Sequence, residues 1–289
     1  MNLLNSFTPQ LVQFNELDIP GLIDLSASVG WDYDKYEIQT VLSSGKIFGH
    51  KNKNGEVISS AAIIEYDKNL ASIGMVIVND SYRGLGLGKL ATQKCLDSIS
   101  NQTIAMLIAT EAGKPMYEKM GFRTTDSIHK YICESYIPNN SSINHSFNIE
   151  PFSDKDFSEI LKLDHGAFGV QREHFLVNRI AQAKEALILK DVDSKIIAYG
   201  LSINGPVQLV LGPIVAPNPQ LAMLLVGQLT KNHHGPFRID VPSGNEDFMR
   251  NLESVGFKKA SNPPVMIKNG EQLPPRDQTL FAIAAQIFG

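Results

Sequence analysis

Cysteine and tryptophan are scarce in this chain, which has two cysteines and one tryptophan in 289 residues. Two thiols, Cys95 and Cys133, are too few for a disulfide framework or a cysteine-rich metal set, so we expect both to be packing residues. The pair His233-His234 lacks the supporting ligands of a metal site. The sequence therefore predicts no metal centre.

Blocks of one charge sign are also missing. The 26 Lys and Arg residues against 30 Asp and Glu residues give a net charge of -4, which divides almost evenly between the two halves. No basic tract indicates a nucleic-acid partner or an anionic membrane. No apolar run approaches membrane-spanning length, and residues 1–7 lack a charged segment followed by an apolar one. We expect a cytoplasmic protein.

The length and the hydrophobic content of 43% are enough for two cores, so two domains are expected. The polar, aperiodic run at residues 139–146 is typical of a linker. We predict an N-terminal domain at residues 1–138 and a C-terminal domain at residues 147–289.

Hydrophobic periodicity predicts the same element order in both halves. In the first half it is a strand, two helices, three strands, a glycine-rich loop, a helix, a strand, a helix and a strand. The interval from Arg83 to Gly121 in the first half nearly equals the interval from Pro217 to Gly256 in the second. We interpret this match as a tandem duplication.

The glycine-rich loop Tyr82–Lys89 lies between the strand pattern Leu70–Val78 and a helical stretch. Such a turn can direct several backbone N–H groups at one anion, which predicts a phosphate cradle. The Walker A pattern does not fit, because only three residues separate Gly84 from Gly88 and Leu90 follows Lys89.

A Rossmann fingerprint fits the loop better, since Gly86–Ala91 matches G-x-G-x-x-A and Glu111 follows at a plausible distance for a ribose-binding acid. The polar residues 79–82 argue against it, because a Rossmann turn follows its strand directly. An NAD(P)-binding protein stays open as an alternative at this point.

Arg83–Gly88 also fits R/Q-x-x-G-x-G/A, and Ala112–Phe122 contains Tyr117-Glu118-Lys119-Met120-Gly121-Phe122. In this order the two motifs resemble the acetyl-CoA loop and the closing helix of the GNAT N-acetyltransferases. The whole chain is similar to a two-domain bacterial branch of that family, in which an active first domain precedes a divergent second one.

This resemblance implies an α/β (α+β) fold of two tandem GNAT-like domains, each with a mixed, mostly antiparallel sheet flanked by helices. It also implies an enzyme that transfers the acetyl group of acetyl-CoA directly to a small primary amine in a ternary complex. A catalytically silent acyl-CoA-binding or sensor protein is the alternative that the degenerate second half suggests.

The second half has lost the residues that the chemistry requires. Ala216-Pro217-Asn218-Pro219-Gln220 replaces the glycine loop, and each proline removes an N–H donor. Leu252 stands where Tyr117 stands in the first copy. The second domain is then either a dimerisation or stabilising module, which would make the protein a homodimer, or a wall of the acceptor pocket.

The resemblance also implies roles for individual residues. The expected acetyl-CoA site comprises the loop residues Arg83, Gly84, Leu85, Gly86, Leu87, Gly88 and Lys89 together with the strand residues Val76, Ile77 and Val78. Tyr117 is the expected general acid, because a phenol at the motif position can protonate the departing thiolate. Glu65, Glu111 or a water relay would serve as the general base, and Trp31 and Asp32 would line the acceptor pocket.

Overall fold

The computed structural model describes residues 9–138 and 147–289. The predicted linker at 139–146 lies outside the described residues, so the two domain boundaries remain a prediction.

Residues 9–138 form six strands and four α-helices, in the order that the sequence predicts. They are β1 (Gln10–Gln13), α1 (Ile19–Ser28), α2 (Lys35–Ser44), β2 (Lys46–Lys51), β3 (Val57–Glu65), β4 (Leu70–Val78), α3 (Leu87–Leu96), β5 (Ile104–Ile108), α4 (Lys114–Lys119) and β6 (Arg123–Cys133). Helix α2 starts at Lys35, because the carboxylate of Asp34 accepts a hydrogen bond from the N–H of Glu37 at 2.7 Å and caps the helix there.

Residues 147–289 repeat this order, beginning with a short strand that has no sequence pattern of its own, and add two further short strands. The elements are β7 (Asn148–Pro151), α5 (Phe157–Phe168), α6 (Glu173–Gln182), β8 (Glu185–Lys190), β9 (Ile196–Asn204), β10 (Leu209–Val215), α7 (Pro219–Thr230), β11 (Phe237–Pro242), α8 (Glu246–Ser254), β12 (Lys258–Ser261), β13 (Pro264–Lys268) and β14 (Leu280–Ala282). The unpredicted strands β7, β12 and β14 have three or four residues each, too few for a period-two pattern to stand out.

The described residues build one 14-stranded sheet across both halves. Its main path runs β1-β2-β3-β4-β5-β13-β6-β11-β10-β9-β8-β7. Two pairs are parallel, β4 with β5 and β10 with β11, and α3 and α7 make the equivalent crossovers. This mixed, mostly antiparallel sheet confirms the predicted fold class. It is also not the doubly wound parallel sheet of a Rossmann domain, so the NAD(P)-binding alternative is wrong.

The two halves exchange strands at the centre of the sheet. Strand β13 of the second half lies between β5 and β6 of the first, with Val265 opposite Ile108 on one side and Asp126 on the other. In return, β6 pairs with β11 of the second half from Cys133–Phe237 to Ile128–Pro242. Each half therefore contributes the strand that completes the sheet of the other.

Residues 284–289 also cross into the first half. Ile287 and Phe288 are buried in a cluster with Phe14, Leu22 and other first-half side chains. The Ser72 hydroxyl donates to the carbonyl of Ile287 at 2.7 Å inside this core. The last described residues of the second half are thus packed against β4 of the first. Among the described residues, no helix is long and apolar enough to cross a membrane.

Candidate functional site

The loop after β4 is ordered by local hydrogen bonds. The Asn79 side chain accepts from the N–H of Ser81 at 3.1 Å and starts a single turn of 3-10 helix at Asp80–Tyr82. Arg83 follows this turn and forms an ion pair with Asp80 at 2.7 Å, with both side chains more than half exposed. An exposed pair of this kind contributes little to stability, so the Arg83 guanidinium can be released to another anion.

Two glycines shape the next step of the loop. Gly84 has φ +80 and Gly86 has φ +75, and no heavy atom lies within 4 Å of a Cβ built on either residue. Space would admit a side chain at both positions, but the left-handed backbone favours glycine. Gly86 is the cap of α3 and has no side chain to bond the first turn of that helix.

The N–H groups of this loop consequently point to no protein acceptor. From Gly84 to Lys89, none of the backbone N–H groups donates a hydrogen bond to any residue that the structure describes. The helix α3 begins in the same stretch, so its positive end adds to the potential there. The predicted loop residues therefore form a group of free donors of the kind that binds a phosphate.

The sheet opens beside this loop. The pairing of β4 with β5 ends at Ile73–Leu107, whereas β3 pairs with β4 as far as Val78. A bulge in β4, with Met75 at φ +52, coincides with the divergence. Val76, Ile77 and Val78 thus keep one strand neighbour and present their other backbone edge to the gap, where an extended chain can pair with it.

The loop and the open edge are adjacent. A Cβ built on Gly88 would lie 3.3 Å from a methyl of Val78, 3.6 Å from the sulfur of Met116 and 3.9 Å from a methyl of Val76. The start of α3, the end of β4 and helix α4 therefore meet at one place, as the two sequence motifs require.

Tyr117 lies on α4 at this meeting point. Its side chain is 6% exposed and its ring contacts that of Phe122 edge to face, with centroids 5.8 Å apart. The hydroxyl makes no hydrogen bond within residues 9–138 and 147–289. Burial, with a smaller effect of Cys95, raises the pKa of Tyr117, so the phenol stays protonated at neutral pH.

On the other side of the gap lies a cavity of about 1070 Å³ between the two halves. The first half supplies Trp31, Asp32 and Glu111 to its lining, and the second half supplies Arg238 and Gln286. The predicted acceptor residues Trp31 and Asp32 follow α1, and the Trp31 ring lies 6.2 Å from that of Tyr33. Both halves contribute to one cavity.

The two glutamates proposed as bases occupy different places. Glu111 follows β5, lines the cavity and is exposed to it. Glu65 is paired with Ala71, at the far end of the β3–β4 ladder from Val78. At about 3.4 Å per residue this separates Glu65 from Val78 by roughly 20 Å along the strands. The structure does not bring Glu65 to the site.

The second copy of the loop is closed by its own side chains. Asn218 caps α7, and its side chain accepts from the N–H of Leu221 at 3.0 Å. Pro219 occupies the first helical position and has no N–H to offer. Leu252 is fully buried in the second-half core. The donors and the hydroxyl of the first copy therefore have no counterparts here.

Sequence reasoning missed several residues of the cavity. Lys130 on β6 and Arg238 on β11 line it, and so do Gln286 and Ile287 near the end of the described chain. Nothing in the local sequence marks these residues, because strand pairing across the halves and the return of residues 284–289 bring them to the cavity. The predicted absence of a metal stays a prediction.

These features define an α/β protein made of two copies of one domain, of which the first keeps a loop of free N–H donors beside a split in its sheet. A model of the acetyltransferase (GNAT) domain matches residues 33–131, and another model with the same description matches residues 160–282. A Bacillus subtilis (strain 168) protein named uncharacterized N-acetyltransferase YitH is 33% identical over 281 residues, which is 97% of this chain and 98% of that protein.

Solved structures share the fold at lower identity. A candidate acetyltransferase from Pyrococcus horikoshii has a TM-score of 0.81 at 17% identity. The match covers 97% of this chain and 96% of that chain. A tandem GNAT protein from the clavulanic acid biosynthesis pathway has a TM-score of 0.67 at 11% identity, with 92% of this chain and 100% of that chain covered. The chain belongs to the GNAT acetyltransferase family, with two GNAT domains in tandem, and is an N-acetyltransferase.

Proposed function

We propose that the protein transfers the acetyl group of acetyl-CoA to the primary amine of a small molecule, directly and within a ternary complex. The observation that carries this proposal is the convergence of three features at one end of the first-half sheet. The free N–H groups of Gly84–Lys89 and the open edge of β4 lie beside α4, the helix that carries Tyr117, and the cavity of about 1070 Å³ lies beyond them.

Acetyl-CoA fits the donor side of this gap. The pyrophosphate would accept from the loop N–H groups, with the exposed side chains of Arg83 and Lys89 adding positive charge. The backbone of Val76–Val78 would pair with the pantetheine amides, since this edge has no strand neighbour on the β5 side. The loop and the edge together would hold the thioester at the mouth of the cavity.

In the proposed reaction a neutral amine attacks the thioester carbonyl carbon, so that a C–N bond forms and the C–S bond breaks. The N–H of Val78 would stabilise the oxyanion of the tetrahedral intermediate, a contribution of roughly 3 kcal/mol for one well-placed donor. Tyr117 would give its proton to the departing thiolate, which leaves as the free thiol. The amine proton would leave through water toward Glu111, which faces the cavity.

The second half would serve as a wall of the acceptor pocket. Strand β11 and residues 285–287 lie on the cavity, and β13 separates β5 from β6 beside it. This location supports a pocket role for the degenerate copy over a purely stabilising one. Trp31 and Asp32 would close the opposite wall.

A thiol-release assay with purified protein, acetyl-CoA and a library of primary amines tests the proposal. We expect release of free CoA that depends on the amine, and an acetylated product by mass spectrometry. Binding of acetyl-CoA with no turnover across amines, amino acids and aminoglycosides would contradict it and would favour an acyl-CoA sensor.

A further inference from the structure

Lys130 is a half-buried cation on the wall of the cavity. It lies on β6 directly opposite Asp240 of β11, and Arg238 is two residues from Asp240 on the same strand. Residues paired across antiparallel strands place their side chains on the same face, so all three belong to one wall. Lys130 and Arg238 line the cavity.

Asp240 is already neutralised by its neighbour. Both the Nε and a terminal nitrogen of Arg238 contact one oxygen of the Asp240 carboxylate, at 2.9 and 2.8 Å. The other oxygen accepts from the amide of Gln286 at 3.3 Å. Asp240 is 1% exposed, so this network is closed to solvent.

Lys130 is left without a partner. Among the residues that the structure describes, it forms neither an ion pair nor a side-chain hydrogen bond. Burial and the nearby Arg238 lower the pKa of Lys130, while Asp240 and Asp32 act in the opposite direction. The wall thus carries one positive charge more than it carries negative charge, at a depth where water solvates it poorly.

The other carboxylates that line the cavity are either engaged with other groups or exposed at its surface. Asp34 caps α2, and Glu37 pairs with Arg179 at 2.6 Å. Asp32, Glu111 and Asp126 are exposed at the cavity surface, where water screens them. The uncompensated positive charge of Lys130, which lies away from the surface, therefore favours a ligand that carries an anion. The exposed carboxylates leave room for the amine of the same ligand.

We propose that the acceptor is an amine that also carries a carboxylate, and that Lys130 binds this carboxylate while the amine reaches the thioester beside Glu111 and Tyr117. The inference rests on the proposed function and names its substrate class. A carboxylate would supply the missing partner of Lys130 with a charge-assisted hydrogen bond, which is among the stronger contacts available in a cavity.

The test compares matched acceptors and matched variants. The acceptors are straight-chain ω-amino acids of increasing length, the corresponding amides, alkylamines, diamines and aminoalkyl phosphates. The variants are Lys130→Met, Lys130→Arg and Asp32→Asn. Lys259→Met is the matched control, because Lys259 lies on β12 opposite Tyr131, one residue along from Lys130, and so belongs to the other face of the sheet.

We expect the wild-type protein to prefer an amino acid over its amide. In Lys130→Met the ratio of kcat/KM for the acid to that for the amide should fall by about 10- to 100-fold, the loss of one hydrogen bond to a charged group. Lys130→Arg should keep most of the ratio, and Lys259→Met should leave it as in wild type. Thermal unfolding of each variant without ligands checks that it is folded.

Several results would overturn the inference: equal use of acids and amides, a preference for diamines or phosphates over carboxylates, or an acetyl group transferred to Lys130 itself. An acid-to-amide ratio that stays unchanged in Lys130→Met and rises in Asp32→Asn would assign Lys130 to Asp32 instead. Thiol release with no amine at all would contradict the proposed function. In that case calorimetry would measure how tightly the amino acids bind to the CoA complex of wild type and of Lys130→Met. The difference in affinity tests the Lys130 site separately from the reaction.

Discussion

At the scale of single residues, Tyr117 combines burial with a hydroxyl that has no partner in the described protein. A buried phenol normally finds a hydrogen-bond acceptor, because an unsatisfied one costs free energy. The Tyr117 hydroxyl is not sealed from solvent in this way, so it can bond water until a substrate atom replaces that water. Its raised pKa keeps the proton available across the neutral range.

The substitution Tyr117→Phe tests this role. It removes the hydroxyl and keeps the ring that contacts Phe122, so we expect turnover to fall by roughly 10²–10⁴ while acetyl-CoA binding stays nearly intact. Steady-state kinetics and calorimetric titration with acetyl-CoA measure the two effects. Unchanged turnover would remove Tyr117 from the role of general acid.

At the scale of elements, the start of α3 differs in chemistry from the start of its counterpart α7. The first copy caps its helix with Gly86 and leaves the N–H groups free, whereas the second caps its helix with the side chain of Asn218. A helix start that satisfies its own donors has none left for a phosphate.

Gly86→Ala should therefore weaken acetyl-CoA binding through the backbone alone. A left-handed alanine costs about 1–2 kcal/mol, which should bias the loop away from its present shape and raise the KM for acetyl-CoA by roughly 5- to 30-fold. Gly244→Ala is the matched control, with φ +85, open space around the Cβ and a place in the second half away from the loop. If both variants changed the KM equally, the loop conformation would not be the cause.

At the scale of the whole molecule, the strand exchange couples the two halves. Met266 of β13 is fully buried in a cluster with Ala109 and Phe122 of the first half. Tyr66 of the first half contacts Phe168 of the second edge to face, with centroids 5.4 Å apart. A chain built this way should unfold as one cooperative unit.

Met266→Ala tests this coupling. The substitution leaves a cavity in the first-half core and should cost about 2–5 kcal/mol of unfolding free energy. Trp31, the one tryptophan of the chain, reports on the junction of the first half with residues 284–288, and far-UV circular dichroism reports on both halves. We expect both signals to shift together in urea, for Met266→Ala and also for Met249→Ala in the second-half core. Two separate transitions would contradict a single unit.

The sequence predicted most of the elements because their apolar spacing is local. The helices and the long strands follow one another in the predicted order, while the roles that the family resemblance gives to the loop and Tyr117 stay predictions. The short strands β7, β12 and β14 escaped prediction. Glu65 was expected near the site because alternation along β3 does not reveal which end of the ladder faces the gap.

By itself, the sequence determined the family and the duplication, and it predicted the loop residues that are proposed to hold the acetyl donor. Glycines at left-handed positions, prolines in the failed copy and the Tyr117 motif are local features, and each has a local physical reason that can be read along the chain. The donor loop needs no distant partner to take its shape.

Only the tertiary structure decided which residues line the cavity between the two halves. Lys130 and Arg238 come from different halves and meet because β6 pairs with β11, while Gln286 returns from the far end of the described chain to bond Asp240. Contacts between strands so distant in sequence depend on the packing of the whole sheet, and no periodicity within either half encodes them.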